Sequence, residues 1–376
     1  TVLCSRTSYG KAAESTTHPE PEPPGLRVVR LPGLPFGRGI AARLSSYPSF
    51  FAGAVCFGLC LPSPDVVVTL TTPPLLALVG TLFHRLRRCR HYIWEMDLYP
   101  EVAVDLRLLG PRSWLARTIG WLADHSRRRA DGIIALGTCM RERLIARGIP
   151  ADKIHIAENW ADGRAVRPLP FRRDGTLTVL YSGNLGLAHD LATIRTATVV
   201  LKRDPRFRFI FAGGGPLRRE FEEFCRREGL SQVEFRPYCP REELARSLAE
   251  GDVGLVTQTP ETIGCIVPSK VYGIMAAGRP VLFIGPSEAT PARIIRRFRC
   301  GWQLDCGDAD VVVSLLRRLA DDPDLIYQAG QRARAAFLKH YDLPIGVARI
   351  CRIIGADAPA HAAPQAAAAV PVTTSS

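Results

Sequence analysis

Two glycine-rich segments of the chain contain the residue types that bind a phosphate. One spans residues 182–186, which read SGNLG, and the other spans residues 213–216, which read GGGP. Each follows a short apolar run, and glycine lets backbone N–H groups approach an anion at the start of a helix. A plain strand-to-helix turn needs the same glycines, so both interpretations stay open for each segment. The candidate ligand-binding residues are Gly183, Asn184 and Gly186 with the nearby His189, and Gly214, Gly215 and Pro216.

A third segment places a lysine beside a hydroxyl group. Ser269 and Lys270 follow a valine and a proline and precede a helical pattern. A cation and a hydroxyl at the start of a helix suit a phosphate group. Lys270 is one of only five lysines among 49 basic residues, which favours a specific role. The alternative is that Ser269 caps the helix and that Lys270 is solvated.

Two carboxylates follow another strand-like run, which spans residues 91–95. Asp97 and Glu101 lie just beyond this run. The carboxyl end of a strand in a parallel sheet is where an acid or base would meet a substrate, so both are candidate catalytic groups. The alternative is a helix-capping aspartate and a surface glutamate.

These segments must be positioned by a larger framework, and the chain predicts one. Apolar, β-branched runs alternate with helical patterns, which is typical of parallel sheets with helices on both faces. The alternation occurs twice around a Pro-, Gly- and Arg-rich break, so it predicts two Rossmann-like, doubly wound α/β domains. We expect a first domain at 1–159, a linker at 160–175, a second domain at 176–355 and a disordered tail at 356–376. The predicted strands span 1–4, 26–30, 65–70, 91–95, 131–136, 153–157, 177–182, 207–212, 232–235, 252–256, 280–284 and 301–304, and the clearest helices span 113–129, 138–147, 241–249, 310–319 and 323–340.

The composition excludes several classes of protein. The net charge of +13 is spread along 376 residues and comes almost entirely from arginine, unlike the basic stripe of a nucleic-acid-binding module. The 11 cysteines lack metal-site spacing, and without a signal peptide they indicate a reducing, cytoplasmic compartment. No apolar run is long enough to cross a bilayer. The chain begins within a strand-like run, so we expect its natural start to lie upstream.

Two apolar segments of the first domain could contact a membrane. Residues 49–61 read SFFAGAVCFGLCL, and residues 75–91 form an apolar helix that ends in an arginine cluster. One interpretation is that both are core helices. The other is that apolar side chains enter the lipid headgroup region while arginines contact anionic lipids. The second interpretation predicts a cytoplasmic protein held peripherally at the inner face of the cell membrane.

Taken in order, these segments resemble glycosyltransferase family 4, whose members have the GT-B fold of two Rossmann-like domains facing a cleft. The similarity extends from residue 1 to about residue 355 and is to the bacterial fucosaminyltransferase-like group, amino-sugar transferases of surface-polysaccharide synthesis. It implies sugar transfer with retention and without a required metal or other cofactor. The segments that carry it are 97–101 (DLYPE), 159–162 (NWAD), 181–186 (YSGNLG), 213–216 (GGGP), 267–270 (VPSK) with Gly273, and 276–280 (AAGRP).

The resemblance also implies a role for each candidate residue. The second domain would bind a nucleotide-sugar, and Asp97 of the first domain would face the acceptor, often a lipid-linked sugar. The diphosphate would lie among Gly183, Asn184, Gly186, Ser269 and Lys270, and the nucleoside would be flanked by Gly214, Gly215 and Pro216.

The sequence departs from the family at four donor-site positions. Two glutamates common in the family are Cys265 and Gly273 here. The common arginine and lysine after the first strand of the second domain are Asn184 and His189. The donor contacts must then come from elsewhere, and our candidates for them are Glu261 and Lys270.

The sequence thus predicts a retaining glycosyltransferase. It would move a sugar, expected to be N-acetylated, from a UDP-sugar to a lipid-linked or saccharide acceptor in bacterial surface-polysaccharide synthesis. Its expected partners are the UDP-sugar, the acceptor and an anionic membrane surface, and no nucleic acid. Two alternatives stay open: a UDP-sugar 2-epimerase, which needs no acceptor, and a membrane-docked nucleotide-binding subunit without activity.

Overall fold

The structure, a computed structural model, describes residues 1–6, 25–32, 40–171 and 174–356. The predicted disordered tail lies outside the described residues from position 357 onward. Within the described part of the chain, no helix is both long and apolar enough to cross a membrane.

The first half of the chain contains two sets of parallel strands. β1 (Val2–Ser5) pairs with β2 (Val28–Leu31). A separate four-stranded sheet contains, in spatial order, β3 (Val66–Leu70), β4 (Arg90–Glu95), β5 (Gly132–Ala135) and β6 (Ile154–Ile156). The helices of this half are α1 (Ile40–Cys60), α2 (Ala77–Arg87), α3 (Glu101–Asp105), α4 (Trp114–Arg129) and α5 (Thr138–Ala146).

The second half forms one six-stranded parallel sheet. Its strands in chain order are β7 (Leu177–Ser182), β8 (Phe207–Ala212), β9 (Val233–Arg236), β10 (Val253–Thr257), β11 (Val281–Ile284) and β12 (Gly301–Leu304). In space the order is β12-β11-β10-β7-β8-β9, so β7 and β10 are neighbours at the centre of the sheet. The chain runs outward from β7 in one direction and from β10 in the other, which makes the gap between these two strand ends the point where ligands bind in doubly wound sheets. The helices are α6 (Ala192–Val200), α7 (Arg218–Glu228), α8 (Leu244–Ala249), α9 (Lys270–Ala276), α10 (Thr290–Phe298), α11 (Ala309–Asp321) and α12 (Pro323–His340).

The prediction of two parallel α/β domains is confirmed. All twelve predicted strands are present, and their ends differ from the predictions by at most two residues. The five predicted helices are also present, although the segment 241–249 starts as a 3-10 turn at Arg241–Glu243 before α8. The strands could be predicted because both faces of these sheets are covered, so the strands are continuous apolar runs. In β5, for example, Ile133 and Ile134 point to opposite faces, and both are fully buried.

A last helix, α13 (Leu343–Ile354), returns from the second half to the first sheet. Its Ile350 packs in a small core with Ile134 and Ala157, and Arg349 forms an ion pair with Glu158. The predicted second domain, residues 176–355, includes α13, although α13 packs against the sheet of the first half.

The two apolar segments of the first domain contribute to its core. Phe50 and Ala54 of α1 are buried together with Val79 and Phe83 of α2 against Leu31. This agrees with the core-helix interpretation of both segments. Other apolar residues of the same helices are exposed, namely Phe57, Leu59, Leu82 and Leu86.

Candidate active site

The two glycine-rich segments lie side by side at the carboxyl end of the second sheet. The backbone N–H of Leu185 donates to the carbonyl of Gly214 at 2.7 Å, and the N–H of Leu217 donates to the carbonyl of Leu185 at 3.2 Å. The N–H of Gly183 donates to the carbonyl of Ala212 at 2.8 Å. The loops after β7 and β8 therefore form one structure beside the gap between β7 and β10.

Glycine is required at Gly183 and Gly213 by the packing of these loops. Gly183 has φ +138°, and a Cβ atom there would lie 2.5 Å from Cε of Lys270. Gly213 has φ +131°, and a Cβ atom there would lie 2.1 Å from the carbonyl oxygen of Gly183. Both φ values are disfavoured for residues that carry a side chain. The open backbone of Gly183 thus leaves the space that the Lys270 side chain occupies.

Lys270 and His189 lie together at the carboxyl ends of β7 and β10, in the gap that we call the crevice. Nζ of Lys270 lies 3.3 Å from Nε2 of His189, and the ammonium lies 5.1 Å from the centroid of the Tyr181 ring. Nδ1 of His189 lies 2.8 Å from the carbonyl oxygen of Thr257, the last residue of β10. Since a carbonyl oxygen only accepts, Nδ1 carries the ring hydrogen and Nε2 accepts from the lysine.

Burial determines the charges of this pair. Burial, and after it the nearby Lys270 ammonium, lowers the pKa of His189 to about 4, so the imidazole is neutral at pH 7. Burial lowers the pKa of Lys270 to about 8, so most of the ammonium stays charged at pH 7. No acidic side chain among the described residues forms an ion pair with Lys270. The result is a partly buried positive charge without a carboxylate counter-charge.

Ser269 occupies the N-cap position of α9, but its side chain does not cap the helix. Ser269 is exposed, and its side chain makes no hydrogen bond to the first turn of α9. The alternative of a capping serine with a solvated lysine is therefore wrong on both residues, because Lys270 is partly buried against Tyr181 and His189. Glu261 is exposed and lies in a 3-10 turn, Pro260–Thr262, between β10 and α9.

The other predicted donor-binding residues lie on the rim of the same crevice. Asn184 is exposed, and its backbone carbonyl accepts a hydrogen bond from the Tyr181 hydroxyl at 2.6 Å. The remaining three residues, Gly186, Gly215 and Pro216, lie in the two paired loops. Gly214 lies beside the Tyr238 ring, which a Cβ atom at that position would approach to 3.1 Å.

Asp97 meets this region from the first domain. Asp97 forms an antiparallel bridge with Ile266, four positions before Lys270, and the N–H of Leu98 donates to the carbonyl of Cys265 at 2.9 Å. Burial, and after it the charge of Glu95, raises the pKa of Asp97 to about 6. No hydrogen-bond donor for the Asp97 carboxylate is found among the described residues. The two ends of the predicted site, Asp97 and Lys270, are thus carried by segments in direct contact.

Glu101 lies in a different environment from Asp97. Its carboxylate is buried, 2.8 Å from Nε of Arg147 and 3.8 Å from a guanidinium nitrogen of Arg127. The same two arginines bind Asp124, and Arg127 also binds Glu95 at 2.7 Å. A buried carboxylate held between two arginines is engaged in structural ion pairs, so this placement argues against the predicted catalytic role.

Cys265, which replaces a family glutamate, joins the two domains. Its side chain is fully buried, and Sγ lies 3.1 Å from a carboxylate oxygen of Asp105 in α3. Burial raises the pKa of the Cys265 thiol. Beside it, Arg143 of α5 donates to the carbonyl of Ile263 at 2.9 Å and binds Asp105 at 2.7 Å. This position is therefore buried against the first domain and cannot reach a ligand in the crevice.

Sequence reasoning missed Tyr181, Thr257 and Arg143. Tyr181 and Thr257 contact Lys270 and His189, respectively. Their only signal in the sequence is a position at or next to the end of a strand, and the two strands prove to be neighbours in the sheet. Arg143 gives no local signal, because its partners lie in other parts of the chain. No group of three His, Cys, Asp or Glu side chains that could hold a metal occurs among the described residues.

Solved structures with the same two-domain arrangement are GT-B proteins. The fold is similar to that of sucrose-phosphate synthase from Thermosynechococcus elongatus, with a TM-score of 0.72 at 16% identity over 90% of this chain and 85% of that one. It is also similar to Anabaena Alr3699/HepE in complex with UDP and glucose, with a TM-score of 0.68 at 16% identity over 87% of this chain and 86% of that one. The fold is GT-B, as the sequence predicted.

Family profiles match both halves of the chain. The profile of the "Glycosyl transferase 4-like domain" matches residues 1–160, and that of "Glycosyl transferases group 1" matches residues 176–322. The chain belongs to the glycosyltransferases of family 4, a family of transferase enzymes with the GT-B fold.

Curated relatives carry the same kind of description. The chain is 28% identical over 271 residues to "Probable glycosyltransferase WbjE" of Pseudomonas aeruginosa. The matched region covers 69% of this chain and 66% of that protein. It is 28% identical over 160 residues to "Putative colanic acid biosynthesis glycosyl transferase WcaI" of Escherichia coli K12. This matched region covers 39% of this chain and 39% of that protein. The matched regions thus span between about two fifths and just under two thirds of these relatives.

Proposed function

We propose that the protein transfers a sugar from a UDP-sugar to a lipid-linked or saccharide acceptor during bacterial surface-polysaccharide synthesis, with retention at the anomeric carbon. The observation that carries the proposal is Lys270, a partly buried ammonium without a carboxylate partner among the described residues. It lies at the end of the second sheet where doubly wound folds bind ligands. The HepE structures, which are complexes with UDP and glucose and with UDP-glucose, support UDP as the donor nucleotide. The WcaI description supports polysaccharide synthesis.

The diphosphate of the donor is the group that Lys270 suits. A nucleoside diphosphate gains negative charge as it leaves, and a fixed ammonium in a partly buried site stabilises that charge more strongly than water does. His189 is neutral, so it positions the lysine without adding a second charge. The exposed Ser269 hydroxyl beside Lys270 supplies a further donor for a phosphate oxygen.

Asp97 is our candidate for the acceptor side of the reaction. For retention, the acceptor hydroxyl oxygen approaches the anomeric carbon on the face that the phosphate leaves. Its bond to that carbon forms as the bond from the carbon to the phosphate oxygen breaks, and UDP leaves with the electron pair. The proton of the hydroxyl passes to Asp97, whose pKa of about 6 keeps most of the carboxylate ionised at pH 7. We further propose that the donor sugar is N-acetylated. The protein would be cytoplasmic and would lie at the inner face of the membrane.

An assay with acceptor separates this proposal from its alternatives. A UDP-sugar 2-epimerase would convert the donor without any acceptor. A non-catalytic subunit would bind UDP and turn over neither substrate. No feature of the described residues favours either alternative over transfer.

The first test is the substitution Lys270→Ala. We expect it to weaken UDP binding by about 1.5–3 kcal/mol, the range for a hydrogen bond to a charged group. Titration calorimetry with UDP, GDP and ADP measures the change and the nucleotide preference together. The control is Lys339→Ala, which removes an exposed lysine on α12 and should leave the affinity unchanged. Equal UDP affinity in the wild type and the Lys270→Ala variant would contradict the proposed role.

A further inference from the structure

Two tryptophans of α4 are largely exposed to solvent. Trp114 is 76% exposed and Trp121 is 62% exposed, although the chain contains only five tryptophans. Leu108 and Leu115 beside them are 66% and 41% exposed. Tryptophan has the largest apolar surface of any side chain and is usually well buried, so two such residues on one helix mark a contact surface.

The tryptophans share one face of α4 with arginines. Trp114 and Trp121 are seven positions apart, which places them on the same side of the helix two turns apart. Arg117 lies between them on this side, and Arg128 follows Trp121 by a further seven positions. Both arginines are exposed. We call Trp114, Arg117, Trp121 and Arg128 the outer face of α4.

The segment that carries the outer face is strongly cationic. Residues 106–129 contain six arginines and a single acidic residue, Asp124. Asp124 is buried and pairs closely with Arg127, which is also buried, and with Arg147. The exposed Arg128 lies 3.9 Å from the same carboxylate, so one acidic group faces three arginines and the exposed side of the segment keeps an excess of positive charge. The partner of this face must therefore offer negative charge together with a region that accepts indole rings.

We propose that the outer face of α4 is the surface by which the protein rests on an anionic membrane. Indole rings favour the headgroup region of a bilayer, where one edge is apolar and the other is hydrated, and arginines beside them bind lipid phosphates. A second copy of the chain would bring two cationic faces together, which disfavours a symmetric dimer through this surface. The inference rests on the proposed function in one respect, namely that the acceptor is held in a membrane.

The opposite face of α4 connects this surface to the candidate active site. Arg127 points inward and binds the carboxylate of Glu95 at 2.7 Å and the carbonyl of Tyr99 at 3.4 Å. These two residues flank Asp97 in the chain. A helix that lies on the membrane with one face therefore positions the acceptor-side carboxylate with the other.

The helices that the sequence named for membrane contact are a weaker candidate. Phe50 of α1 and Phe83 of α2 are buried in the core, and α2 packs against α4. The exposed apolar residues of α1 and α2 include Phe57 and Leu86 but no tryptophan. Variants of both surfaces can therefore be compared in one experiment.

The experiment is co-sedimentation of the full chain with vesicles at low salt. The vesicles contain equal parts of phosphatidylglycerol and phosphatidylcholine, or phosphatidylcholine alone. We expect binding to the anionic vesicles, about tenfold weaker for each of Trp114→Ser and Trp121→Ser because of the apolar area lost. The variants Arg117→Ser and Arg128→Ser should each weaken binding about fivefold, the effect of one cation near an anionic surface. Tyr327→Ser, at an exposed aromatic residue of α12, is the matched control and should bind as the wild type does.

A direct readout is quenching of tryptophan fluorescence by brominated lipids. Quenching that disappears in the Trp114→Ser, Trp121→Ser double variant would support the proposal. Absence of vesicle binding by the wild type, or equal binding by the double variant, would overturn it. Loss of binding in Phe57→Ser and Leu86→Ser alone would also overturn it and assign the contact to α1 and α2. Titration with UDP in solution tests the donor site separately, so failure of one proposal leaves the other measurable.

Discussion

His189 accepts a hydrogen bond from Lys270 and leaves the positive charge of the lysine uncompensated. The imidazole is fixed by its bond to the Thr257 carbonyl and stays neutral well below pH 7 because its pKa is about 4. A carboxylate at this position would bind the ammonium and compete with the diphosphate. The histidine thus contacts Lys270 without adding a second positive charge.

The pKa of Lys270 makes UDP binding sensitive to alkaline pH. A lysine is charged below its pKa, so raising the pH through about 8 removes the charge in the free protein, and bound UDP shifts this transition upward. We expect the UDP affinity measured by calorimetry to be constant near pH 7 and to fall above pH 8. The Lys270→Arg variant stays charged throughout and should lose this dependence. A flat profile up to pH 10 in the wild type would show that the lysine charge does not contribute.

Glu101 shows why the role of a single residue is hard to predict from the sequence. Asp97 and Glu101 look alike in the sequence, each a carboxylate after β4. Glu101 is neutralised by Arg127 and Arg147, which come from α4 and the end of α5. Such pairing is set by the packing of distant elements, so local spacing could not separate the two residues.

At the scale of elements, the strands were predictable and the return of the last helix was not. Parallel strands covered on both faces are continuous apolar runs, which stand out against the polar helices and loops. The candidate loops were found for the same reason, because they follow such runs. The position of α13 on the first sheet depends on contacts of Ile350 with Ile134 and Ala157, which no local pattern contains.

The loop after β7 gives a test of element geometry. In Gly183→Ala, the new Cβ atom would meet Cε of Lys270 at 2.5 Å and adopt a disfavoured φ. We expect UDP binding to weaken at least tenfold, and the free energy of unfolding to fall by about 1–2 kcal/mol from the backbone alone. Gly307→Ala is the matched control, since Gly307 has φ +95° and open space around it. Calorimetry and urea denaturation of both variants separate the clash from the backbone cost, and equal UDP affinities would contradict the assigned contact.

At the scale of the molecule, the two domains are in contact around the candidate site. Arg293 of α10 binds the carboxylate of Glu142 in α5 through two nitrogens at 3.0 and 3.1 Å. The segment around Cys265 inserts against α3 and α5. Asp97 and Lys270, which we propose for the acceptor side and the donor side, are thus carried by segments that domain contacts hold together.

Removing one of these contacts should loosen the domains. Arg143→Ala deletes the bonds to Asp105 and to the Ile263 carbonyl, and we expect the free energy of unfolding to fall by about 1–2 kcal/mol. Urea denaturation measures this loss. Arg141→Ala is the control on the same helix, because the side-chain bond of Arg141 is a single 3.3 Å contact with the carbonyl of Ala151. Equal destabilisation of both variants would mean that the domain contact adds nothing to stability.

The return of α13 has a consequence for protein engineering. Exchanging donor specificity between related enzymes is attempted most simply by fusing the first half of one chain to the second half of another at the linker. Here such a chimera would bring a foreign α13 to Ile134, Ala157 and Trp160. A functional hybrid of this protein therefore needs two crossover points, one at the linker and one between α12 and α13, so that the first sheet keeps its own cover.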